Sequence, residues 1–126
     1  MKLLIKSNVK GLINRGVYKI YLYFDNKPYP INRILKVDSS GLVYIGCTKK
    51  QNFEKRLNNF ILSSEKNKTN NHSGGNKISI NDNLKKLISS GKLMFEIIEF
   101  DNPLEEERIL IEKYFEEFGE KPPLNG

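Results

Sequence analysis

Nine consecutive residues, GVYKIYLYF at 16 to 24, carry three tyrosines, one phenylalanine, two β-branched residues and a single charge. Aromatic and β-branched side chains suit a pleated, buried backbone, so this run is a strand, and the chain must build a sheet around it. LVYIG (42 to 46) and LMFEIIEF (93 to 100) supply a second and a third strand of the same character, and ILKV (34 to 37) reads as a short extra one. The first two are antiparallel if the insert between them folds back locally. That insert, at about 25–40, contains NKPYPIN, whose two prolines restrict it to a loop or a sheet edge.

Helical signals fill the remainder. Asn52 can cap a helix from about 52 to 64, on which Phe53, Leu57, Phe60, Ile61 and Ser64 recur at the 3.6-residue period. INDNLKKLISSGK is a helix capped by Asn81 or Asp82 and closed by Gly91. Asn102 and Pro103 open a helix that runs to about Phe118, with Gly119 as its stop. The polar, glycine-bearing stretch KNKTNNHSGGNK (66 to 77) reads as a loop. The expected fold class is therefore α+β, a small three-stranded antiparallel sheet flanked by helices, in one domain spanning residues 1–126.

Charge points to a partner. The net charge is +6, but residues 1 to 94 hold 18 Lys and Arg against 5 Asp and Glu, and residues 95 to 126 hold 3 against 10. A basic body attracts polyanions and speeds their encounter, which makes nucleic acid the leading partner; solubility alone is the plainer reading. No apolar run approaches the roughly 20 residues needed to cross a bilayer, so no membrane partner is expected. One cysteine, Cys47, and one histidine, His72, exclude an internal disulfide and a His- or Cys-rich metal centre, and suggest a reducing compartment such as the cytoplasm.

Two short tripeptides stand out, GVY at 16 to 18 and YIG at 44 to 46. On neighbouring antiparallel strands in matching register, Tyr18 and Tyr44 would share one sheet face, while the adjacent glycines leave room for a close approach. Taken alone, each tyrosine is an ordinary strand aromatic, Arg56 an ordinary solvated helix residue, and His72 an ordinary surface histidine. What changes that weighting is their order along the chain.

GVY, then VYIGCTKK, Arg56 in FEKRL, an acid in a late helix and PPLN together resemble the GIY-YIG nuclease family, over roughly residues 16 to 125. The resemblance implies a DNA endonuclease that hydrolyses phosphodiesters with one divalent ion per site, Mg²⁺ or Mn²⁺. It casts Tyr18 and Tyr44 as the paired tyrosines, one to orient or deprotonate water and the other to bond the scissile phosphate. A phenol ionises near pH 10, so a cation must assist, and Lys49 or Lys50 just past YIG is near enough in sequence. Arg56 matches the family arginine, whose planar fork suits phosphate. His72, in HSGG, resembles a stretch of the restriction-type branch and takes an active-site role, as base or phosphate ligand. Asn125 matches a terminal asparagine that holds the site's backbone or the phosphate.

For the metal, Glu107 has Leu104, Leu110, Ile111 and Tyr114 at −3, +3, +4 and +7, which at 100° per residue turns it into an apolar stripe; Glu112 faces elsewhere but stands nearer Asn125, and remains the alternative. The insert departs from the short hairpin common in the family: 26 positions separate Tyr18 from Tyr44. Together with HSGG, this basic, aromatic insert resembles the restriction-enzyme branch, which implies a site-specific enzyme in which inserted segments, here with Arg33 and Lys36, reach DNA. A double-strand break would need a homodimer on DNA or sequential nicking. Two readings compete, a catalytically inactive nucleic-acid-binding module on the same fold, and a protein-interaction domain whose tyrosines only pack.

Overall fold

The computed structural model describes residues 1–65 and 72–126. The elements run β1 (Lys2–Leu3), α1 (Lys6–Val9), β2 (Gly16–Phe24), β3 (Lys27–Pro28), β4 (Ile31–Asn32), β5 (Val37–Asp38), β6 (Leu42–Cys47), α2 (Phe53–Glu65), α3 (Ser73–Ser79), α4 (Asp82–Ser90), β7 (Lys92–Glu99) and α5 (Pro103–Phe118). The fold is α+β. Its main sheet has five strands in place of the expected three, because two-residue β1 and β3 pair at its margins. β2 is the centre: it pairs antiparallel with the whole of β7, from Gly16↔Glu99 to Tyr23↔Lys92, and with β6 from Val17↔Cys47 to Tyr21↔Leu42.

Both faces of this sheet are covered. On one, Tyr18, Ile20, Leu22, Val43, Tyr44 and Phe95 meet Phe53, Leu57 and Phe60 of α2 and Ile78 of α3. On the other, Val17, Tyr21, Leu42, Ile45 and Cys47 meet Tyr114 and Phe118 of α5. A strand buried on both faces needs apolar residues at consecutive positions, and this is why GVYKIYLYF is nearly continuous rather than strictly alternating.

Helix ends follow the expected chemistry. The Asn52 side chain accepts the Lys55 amide at 2.8 Å, Asn81 accepts Leu84 at 3.0 Å, and Gly119 ends α5 at φ +80°. Two expectations need correction. Residues 34 to 37 are not one strand: Ile34 to Lys36 make the bend of a small hairpin, β4–β5, and only Val37 is extended, with pairs Ile31↔Asp38 and Asn32↔Val37. The stretch expected to be loop from 66 to 77 turns helical at Ser73, where α3 packs against α2, while 66–71 lie outside the described residues. Among the described residues, no helix is long and apolar enough to cross a membrane.

Candidate active site

The register decides where the tyrosines go. Tyr18 lies opposite Gly46 and Ile20 opposite Tyr44, so Tyr18 and Tyr44 are diagonal neighbours on one face, their ring centroids 6.2 Å apart. The Tyr18 ring lies across Gly46. A Cβ at position 46 would stand 2.5 Å from Tyr18 Cζ, so the last residue of YIG is the gap through which Tyr18 reaches its place. Gly74 does the same for Tyr44: a Cβ there would stand 2.8 Å from Tyr44 Cε1.

His72 caps α3 and is fully buried. Its Nε2 is 2.8 Å from the Tyr18 hydroxyl, and its ring meets Phe60 edge-on at 4.9 Å and Tyr44 at 5.3 Å. The Gly75 amide donates to Nδ1 at 3.4 Å, which assigns the ring proton to Nε2; Nε2–H then donates to the Tyr18 oxygen. Burial, reinforced by the charges of Arg56 and Lys49, lowers the His72 pKa to about 3, so the ring is neutral at physiological pH.

The two tyrosines are held differently. Tyr18 is fully buried, and burial raises its pKa, with a further rise from Tyr44 and an opposing pull from the adjacent Arg56 guanidinium. Tyr44 is 7% exposed. Burial raises its pKa too, but a hydrogen bond from Ser73 lowers it, the Glu107 carboxylate raises it, and Arg56 lowers it. Arg56 thus acts on both phenols and on the histidine, and its Nε is buried with no hydrogen-bond partner among the described residues.

Glu107 and Glu112 face differently. Glu107 is half-buried, and its charge bears on Tyr44 and on the Cys47 thiol, whose pKa burial raises. Glu112 is exposed and bound to Arg108 at 2.6 Å, which also holds Glu105 at 2.5 Å. Asn125 accepts the Ile45 amide at 2.9 Å and donates to the Ile45 carbonyl at 2.8 Å, clamping β6 one residue beyond Tyr44.

Lys49 and Lys50 are exposed in the turn after β6, where Lys49 adopts φ +54° and Arg15 donates to its carbonyl at 2.5 Å. Together with Arg56 they line a cleft of about 580 Å³ between the starts of α2 and α5. Arg33 and Lys36 are elsewhere. Arg33 pairs with Glu120 at 3.1 Å and donates to the Lys121 carbonyl; Lys36 pairs with Glu117 at 2.7 Å and stands over the Phe118 ring. Both fasten the insert to the C-terminal end of α5, as does the buried Asp38, which accepts the Tyr114 hydroxyl at 2.7 Å. Two contributors were not singled out from sequence, Arg15 and Ser73. Arg15 carried no signal beyond its place before GVY, and Ser73 only its membership of HSGG.

No protein-family model, no curated protein and no solved structure matches this chain.

Proposed function

We propose that the protein is a divalent-metal-dependent endonuclease that hydrolyses phosphodiester bonds in DNA, of the GIY-YIG kind. The observation that carries this reading is Arg56, which lines the cationic cleft and at the same time acts on Tyr18, Tyr44 and His72. A guanidinium that lines a cleft among other cations suits a phosphate, because its planar fork can offer two N–H groups to two oxygens.

In this reading Arg56 binds the scissile phosphate and stabilises the charge that builds on it. Tyr44, at the border of exposure, is the phenol that meets the water or the phosphate. Tyr18 and His72, bonded to each other and sealed from solvent, hold Tyr44 and Arg56 in position. Neutralising the Glu107 carboxylate removes an influence that raises the proton affinity of Tyr44, so the phenol would ionise more readily with a cation there. Among the described residues no group of three or more His, Cys, Asp or Glu converges. That fits Mg²⁺, which keeps several waters and takes one or two carboxylates plus substrate phosphate oxygens. Glu107 would hold the ion, which supplies Lewis-acid stabilisation of the leaving oxygen when bound.

Incubation of supercoiled plasmid with the protein and Mg²⁺ tests the proposal. Nicking is expected, reduced about a hundredfold or more by Tyr44→Phe and by Glu107→Gln. Equal nicking by all three proteins removes it. The burial of Tyr18 and His72 favours one alternative, a DNA-binding module without catalysis, identified by retention of DNA with no nicking in Mg²⁺ or Mn²⁺.

A further inference from the structure

The cleft beside the tyrosines is larger than a single phosphate requires. Its walls carry four cations, Arg15, Lys49, Lys50 and Arg56, and one carboxylate, Asp101, with Gln51 and the first residues of α5 completing them. Only Arg56 touches the tyrosine group. Arg15 lies at the outer wall, exposed, and also borders a second cavity of about 560 Å³ beside Glu99 and Asp101, where carboxylates replace the lysines. The positive track therefore ends at Arg15.

This outer wall is organised before any ligand arrives. Lys49 holds a backbone at φ +54°, a conformation that side-chain-bearing residues adopt at a cost, and the Arg15 guanidinium secures it by bonding the Lys49 carbonyl at 2.5 Å. Opposite, Asn102, Pro103 and Leu104 at the start of α5 close the cleft beside the Asp101 carboxylate. Four cations against one carboxylate around one cavity favour an anion, and Arg56, whose charge reaches Tyr44, marks the inner end.

We propose that the outer part of this cleft is a second phosphate subsite, formed by Arg15, Lys49 and Lys50, that takes the phosphodiester next to the one held at Arg56. The substrate is then a strand with at least two consecutive phosphodiesters, not an isolated phosphate ester. The proposal rests on the nuclease reading of Arg56 and Tyr44.

Its test is binding of a short fluorescent DNA duplex, followed by anisotropy in EDTA so that no cleavage occurs. A set of duplexes each carries one uncharged methylphosphonate, moved stepwise along one strand. Arg15→Gln is expected to weaken binding about tenfold and to reduce the slope of log affinity against log salt by about 1. At one methylphosphonate position the wild type should lose about as much, and there the substitution should cost nothing further. Circular dichroism reports whether Arg15→Gln folds; if it does not, Lys50→Gln, on an exposed side chain of the same wall, carries the comparison. Losses that multiply independently at every position overturn the subsite, while salt-sensitive binding and Mg²⁺ nicking by the wild type leave the nuclease reading standing. A wild type that binds no DNA at any salt overturns both.

Discussion

The most demanding consequence of the site is that His72 refuses a proton. An exposed histidine titrates near 6.5, whereas this one, buried among Tyr18, Tyr44 and Phe60 and facing the charges of Arg56 and Lys49, titrates at about 3. At 1.36 kcal/mol per pH unit the gap amounts to about 5 kcal/mol held against protonation in the fold. Because the folded pKa is depressed, the unfolded chain binds the extra proton first. Stability is therefore complete above about pH 6.5 and is lost as pH falls from there toward 3. Linkage gives a loss of about 2 kcal/mol from pH 7 to pH 5 and about 3 kcal/mol by pH 4. Urea denaturation at stepped pH measures it, with His72→Gln as the control that removes the ring and keeps a donor toward Tyr18. The chain has one histidine, so a tag-free sample gives a single imidazole resonance for direct titration. A midpoint near 6.5, or a wild-type pH slope no steeper than that of His72→Gln, would refute the closed Tyr18–His72 pair.

Three other outcomes follow from the same geometry. Tyr18→Phe leaves the His72 Nε2–H buried without an acceptor and should cost about 1–3 kcal/mol in urea denaturation. Gly46→Ala drives a Cβ to 2.5 Å from a ring that His72 holds in place, for a similar loss of about 1–3 kcal/mol; an unchanged midpoint would mean that the ring can move aside. Glu107→Gln removes a charge that raises the Tyr44 pKa, so the Tyr44 Cζ resonance should titrate at lower pH in the variant than in the wild type, whereas Glu112→Gln, an exposed partner of Arg108, should leave it in place.

Elements that announce themselves in sequence are those whose local chemistry and tertiary role agree. β2, β6 and β7 are long enough to show aromatic and β-branched enrichment, and α2, α4 and α5 show their caps and stops. β1 and β3 have two residues each and pair only because longer strands lie beside them, so no pattern could reveal them. α3 is concealed for another reason: SGGNKIS carries two glycines, which disfavour a helix, yet those glycines are what lets α3 lie against Tyr44 and α2. The insert misleads through its charges. Arg33 and Lys36 look like free cations in sequence because their partners, Glu120 and Glu117, are distant in the chain. Ile34 and Leu35 look like strand residues, but they occupy a bend fixed by the Phe118 carbonyl and the Glu120 carboxylate. Within α5, 100° of rotation per residue makes Glu107 half-buried and Glu112 exposed, a difference that periodicity can express.

The two phenols of the site begin with the same chemistry and end with different tasks because of what surrounds them. Tyr18 is enclosed, accepts from a neutral histidine, and its pKa is displaced chiefly by burial, with Arg56 pulling the other way from the edge of the cleft. Tyr44 is also raised by burial, yet it sits between a carboxylate that pushes its pKa up and a serine hydroxyl and guanidinium that pull it down. Its proton therefore responds to charge arriving on either side, a cation at Glu107 or a phosphate at Arg56, and the two act in opposite directions. A cation at Glu107 eases ionisation by cancelling the carboxylate, while a phosphate at Arg56 opposes it by occupying the guanidinium. In the proposed reading the two offset one another, so the Tyr44 pKa with both bound lies between its values with either alone. That responsiveness separates Tyr44 from Tyr18, which with His72 occupies the fully buried position beside it.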